Sequence, residues 1–186
     1  MGVAIRLVQL DDATIDELLA TPSKVEHFLF QEPPAVPRPP SKLAEFFGAQ
    51  PAEPAPVCGA TRFGGDETDV DKAWDALDFL FSEGRTKVGI CRFLTQGGDT
   101  IEHDICCSKP RAFRTKQVSE IWHFLREMHE AILRKYYLPD KMAGIYPRIW
   151  KRDGDKGFDY IFRHFSRLKP FIETAAKTGH GVLISE

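Results

Sequence analysis

Asp66, Glu67, Asp69, Asp71, Asp75 and Asp78 follow one another closely in the chain. Asp71, Asp75 and Asp78 recur at i, i+4 and i+7, so on a helix they form one acidic stripe bordering Trp74. Paired carboxylates do acid–base chemistry when their surroundings push their pKa values apart. No His lies near these residues in sequence to complete such a pair or a metal site. Carboxylates on an exposed helix flank are ordinarily a solvated face, and that is the plain reading here.

His103-x-x-Cys106-Cys107, with Cys91 upstream, has the composition of a soft-metal site. Zinc is usually held by two separated ligand pairs such as C-x-x-C, which this sequence lacks, so packed reduced thiols and no metal are expected. Trp122-His123 and His129 fall on one long helical pattern, with His129 read as a satisfied histidine at the core edge. Tyr146–Arg152 mixes aromatic and basic residues, as surfaces that stack nucleotides do. The same order equally buries Tyr146 and Trp150 while the bases stay in water. No G-x-S-x-G, Walker loop, G-x-G-x-x-G or H-E-x-x-H occurs, and no cofactor is implied.

These side chains belong to an ordinary globular composition. At 186 residues, 42% hydrophobic and 28% charged, the chain suits a single domain over 1–186 with a core that needs no staples. A net charge of -2 gives no general attraction to phosphate backbones or anionic membranes, so neither nucleic acid nor membrane is an expected partner. No apolar run approaches the roughly 20 residues that span a bilayer. Without a secretory pattern at Met1–Leu10, and with four cysteines lacking a C-x-x-C pair, a cytoplasmic location is expected.

The positioning elements can be read from apolar spacing. Thr68–Gly84 reads as a central helix: Val70, Ala73, Trp74, Leu77, Leu80 and Phe81 share one face, Phe79 lies opposite, and Thr68 or Asp69 caps the start. Gly84 ends it. Val3–Leu10 reads as a strand buried on both faces. Asp11 or Asp12 caps a helix through Leu19, and Thr21-Pro22 opens a second carrying Val25, Phe28 and Leu29. Eight of the chain's 13 prolines fall in 31–65, which excludes a continuous helix or a central strand. That stretch reads as a surface excursion with a helical turn or two at Ser41–Phe47 and P-x-x-P registers open to a proline-binding partner.

Further on, Lys87–Thr95 and Thr100–Cys107 read as a hairpin about Gln96–Asp99. Thr115 caps a long helix reaching Ile132. Asp155 or Gly157 opens the last helix, which Pro170 should kink and Gly179 stops. Gly181–Ser185 is a terminal strand. The fold class expected is α+β: several helices around a small sheet that includes the N- and C-terminal strands, with Trp74, Leu77, Trp150, Phe162 and Phe165 buried.

Asp69–Phe81 with its D-K-x-W element, Pro110–Thr115 leading into a helix, the I-Y-P-x-x-W of Ile145–Trp150, and the helix–Gly–VLIS ending resemble the YfbM-like domain family. The resemblance covers both ends and most of the second half, leaving 31–65 unmatched. It implies a single α+β domain of a bacterial family without an established activity. It also implies a polar His where this chain has Asp78, so any site using that His is altered or absent here.

Two functions from different classes are consistent with these residues. One is a non-catalytic protein-binding module, most simply a bacterial immunity or inhibitor protein that neutralises a toxin or effector by contact. Asp66, Glu67, Asp69, Asp71, Asp75 and Asp78 would then meet basic groups on the partner. The alternative is a small-molecule enzyme using the acidic stripe with His123 or His129 and the Tyr146–Trp150 turn. The lack of any nucleophile–base or metal signature favours binding.

Overall fold

A computed structural model describes residues 3–30, 66–105 and 108–186. The proline-rich stretch, its P-x-x-P registers, Cys58, Cys106 and Cys107 lie outside the described residues. The elements run β1 Ile5–Leu10, α1 Asp12–Ala20, α2 Lys24–Phe30, β2 Glu67–Asp71, α3 Trp74–Phe81, a 3-10 turn Ile90–Arg92, β3 Asp99–Thr100 and β4 Arg111–Phe113. They continue with α4 Thr115–Leu125, α5 Glu130–Tyr136, α6 Trp150–Asp153, α7 Asp155–Thr178 and β5 Gly181–Ser185.

The sheet has the order β2-β1-β5-β4-β3, antiparallel throughout, so the first and last strands of the chain pair at its centre. Period-2 geometry sends alternate residues to opposite faces. Ile5, Leu7, Val182 and Ile184 join the larger core with α3, α4 and α7; Val8, Leu10 and Leu183 join the smaller one with α1 and α2. The α+β fold class and both terminal strands are as the sequence predicts. Asp11 caps α1 by accepting from Thr14 N at 2.6 Å, which holds its carboxyl below the usual range. Gly179, at φ 70, ends α7, a helix that contains Pro170.

Several local expectations are corrected. Thr68–Gly84 is not one helix but strand β2, a tight turn and α3. Asp71 takes a left-handed φ of 42 and Ala73 N donates to Val70 O at 2.9 Å, so the chain reverses where a continuous helix was expected. Val70 and Ala73 straddle that turn at a three-residue spacing, which imitates helical periodicity. Lys87–Thr95 is irregular around the 3-10 turn, and the hairpin joins β3 to β4 instead. Arg111 holds that turn by donating to the carbonyls of Phe93, Leu94 and Gly97 at 3.1, 2.6 and 3.1 Å.

The long helix from Thr115 breaks after Leu125. Lys169 Nζ donates to the released carbonyls of Arg126 and Met128, and His129 becomes the extended residue before α5. Arg114, not Thr115, precedes the start of α4, with Gln117 Oε1 accepting from Arg114 N. Leu77, Trp150 and Phe165 are buried as expected, whereas Trp74 and Phe162 are only partly so. Among the described residues no helix is long and apolar enough to cross a membrane.

Candidate functional site

The acidic run divides at the β2–α3 turn. Asp66, Glu67 and Asp69 are exposed at an edge strand of the sheet. Glu67 pairs with Arg6 on β1, and Asp69 Oδ1 accepts from Asp71 N at 3.1 Å. Asp66 makes none of the ion pairs found among the described residues; its backbone carbonyl accepts from Gln9 N at 3.0 Å.

Asp71 marks the end of the strand. Its Oδ2 accepts from the Tyr160 hydroxyl at 2.9 Å, and that hydroxyl accepts from Lys72 N at 3.2 Å. Burial, and the Asp71 carboxylate that its proton bonds, push the Tyr160 phenol up to about 12. The backbone and side chains around the turn are thus tied to α7.

Asp75 and Asp78 behave differently. Asp75 is 8% exposed; its Oδ1 accepts from Arg85 Nη2 at 2.5 Å and its Oδ2 from Tyr146 N at 2.8 Å. Asp78 is 0% exposed, with Oδ2 accepting from Arg92 Nε at 3.0 Å and Oδ1 without a partner. Burial raises its carboxyl above the ordinary value, and Arg92 and the Thr95 hydroxyl offset part of that. The expected single stripe of Asp71, Asp75 and Asp78 therefore does not exist as a surface. Asp71 is on a strand, and the other two are built into the core through arginines ten and fourteen residues away in sequence.

The remaining candidates are scattered. His123 and His129 are exposed, the first on α4 and the second ahead of α5, so His129 is not the core-edge residue expected. His103 Nε2 faces Glu26 Oε2 at 3.5 Å. Cys91 is a buried free thiol whose pKa burial raises. No group of three metal-ligating side chains occurs among the described residues. Tyr146 stacks on Trp74 with ring centres 5.6 Å apart, and Trp150 is buried with its indole N–H donating to Ile145 O at 2.9 Å. Lys151 and Arg152 are exposed beside Asp140 and Asp153.

Arg85, Arg92, Tyr160 and His164 escaped the sequence reading. Arg85, Arg92 and Tyr160 lie 10, 14 and 89 residues from the acids they bond, and no local spacing marks such pairs. Tyr160 and His164 stand four apart on one helix face, a spacing that in sequence marks only a helix.

A family model described as a domain of unknown function (DUF1877) matches residues 1–185. No curated protein matches the chain. A solved structure of a protein of unknown function, YfbM from Escherichia coli, is similar with a TM-score of 0.62 and 15% identity, covering 98% of each chain. At that identity the likeness establishes a shared fold.

Proposed function

We propose that this chain, which belongs to the DUF1877 family, is a non-catalytic protein-binding module that neutralises a basic protein, such as a bacterial toxin or effector, by direct contact. The observation that carries this is the exposure of Asp66, Glu67 and Asp69 along one edge strand. Acidic groups so placed steer and orient a basic partner while contributing little to the fold itself. The enzyme alternative draws on the Asp71, Asp75 and Asp78 stripe with His123 or His129 and the Tyr146–Trp150 turn. Asp75 and Asp78 are committed to arginines inside the molecule, Asp71 to Tyr160, and the histidines stand on other elements, which supports contact over catalysis. On this proposal the protein works in the bacterial cytoplasm and carries no cofactor.

The test is affinity capture from the native host with the wild-type chain and with Asp66→Lys/Glu67→Lys, at low and moderate salt. The expected result is a basic protein held by the wild type, lost from the variant, weakened by salt and inhibited in its own activity when bound. A partner held equally by both chains contradicts the acidic-edge contact. Turnover of a small molecule without any protein partner supports the enzyme instead.

A further inference from the structure

His164 lies on α7 beneath strand β2, 6% exposed, and its Nδ1 has no hydrogen-bond partner. Its ring meets Tyr160 edge to face with centres 4.8 Å apart. Tyr160 in turn binds Asp71 and Lys72 N at the end of β2, and Asp69 and Asp71 on that strand act electrostatically on the His164 ring. One helix face therefore grips the strand at Asp71 and Lys72 through Tyr160, with the His164 ring packed against that tyrosine. Buried nitrogens are ordinarily partnered, and an orphan one in a gripping residue calls for an explanation.

We propose that His164 is a pH-sensitive fastener between α7 and β2: a proton taken up by its ring loosens the edge strand while the central strands stay paired. The neutral ring tolerates an unpartnered lone pair, whereas the charged ring has a buried N–H with nothing to donate to. Charged groups face it from both elements. Asp69 and Asp71 on β2 favour the charged ring and Arg167 on α7 opposes it. Both carboxylates are already engaged, Asp71 by the Tyr160 hydroxyl and Asp69 by Asp71 N. Burial is the largest influence and sets the direction, holding the ring below the ordinary imidazole range. A depressed His contributes stability that is full above the ordinary value and is lost as pH falls toward the folded value. The fastener does not depend on what β2 binds.

The test is amide hydrogen exchange of the wild type and His164→Gln between about pH 7 and about pH 5, above the ordinary carboxylate range. After correction for intrinsic exchange, protection across Glu67–Asp71 should fall in the wild type as pH drops. The fall should approach roughly tenfold per pH unit where the released ring is charged and the buried ring is not. Protection across Leu7–Leu10 and Val182–Ile184 should hold, and His164→Gln should show no such fall at β2. Unchanged β2 protection in the wild type, or the same fall in the variant, overturns the proposal. Should His164→Gln fail to fold, NMR titration of the wild-type ring, assigned through its contact with Tyr160, decides. Titration at or above the ordinary imidazole value overturns it, and titration below that value supports it.

Discussion

Asp78 Oδ2 accepts from Arg92 Nε at 3.0 Å, while Asp78 Oδ1, in the same fully buried carboxyl, has no donor. The pair joins α3 to the 3-10 turn that follows it and fixes the path between two core aromatics, Phe81 and Phe93, stacked with centres 6.1 Å apart. A buried ion pair with one unsatisfied oxygen orients more than it stabilises, because desolvation offsets much of the attraction.

The sign of the resulting pH dependence is fixed. Burial raises the Asp78 carboxyl above about 3.8, so its contribution to stability is full below that value and is lost as pH rises through the raised one. Asp78→Asn removes this dependence and leaves Arg92, whose side chain is 19% exposed, within reach of water. Urea midpoints at about pH 4 and about pH 7 should show the wild type losing ground to the variant as pH rises. A wild type that gains relative stability over that interval contradicts the assignment.

Gly181 opens β5 where two layers approach closely. A Cβ there would lie 2.5 Å from Ile15 Cδ1 and 2.6 Å from the Phe113 carbonyl, and the latter belongs to the paired strand β4 and cannot swing away. Gly181→Ala should cost about 1–3 kcal/mol, as overpacking does. Denaturant unfolding checks it, and an unchanged midpoint would show that the strand start yields more easily than its packing implies.

The tryptophans should separate in a truncation pair. Trp150 is 1% exposed and Trp74 is only partly buried, with one face on Tyr146 and its N–H donating to Val3 O at 3.1 Å. Trp150→Ala should cost about 3–5 kcal/mol, the range for emptying an aromatic core site. Trp74→Ala should cost less, since water already reaches part of its surface. Equal losses in urea unfolding contradict the difference in burial.

Strands and helices whose side chains alternate cleanly were legible. β1 and β5 show apolar residues on both faces because helices cover both sides of the sheet, and α7 shows its stripe from Phe158 to Ala175. Junctions were not. A strand entering a helix through Asp71 preserved a three-residue apolar spacing, and only the left-handed φ of that residue separates the two elements. Lys87–Thr95 alternates like a strand, yet its 3-10 turn is held by Arg111, which lies beyond it in the chain. For the candidate site, the acids were visible but their partners were not. Whether Asp75 and Asp78 face water or arginine depends on tertiary contacts that local spacing does not encode.

Asp66 and Glu67 are thus displayed, whereas Asp75 and Asp78 hold the fold. Thermal melts of two charge-reversal pairs test it directly. Among the described residues Asp66→Lys/Glu67→Lys gives up only the exposed Arg6–Glu67 pair, and the variant should melt within about 4 °C of the wild type. Asp75→Lys/Asp78→Lys sets two cations against Arg85 and Arg92 in buried positions, and breaking even one buried pair costs about 3–5 kcal/mol. The first pair should give a native-like transition and the second a lost or strongly lowered one. Native melting of Asp75→Lys/Asp78→Lys would contradict it.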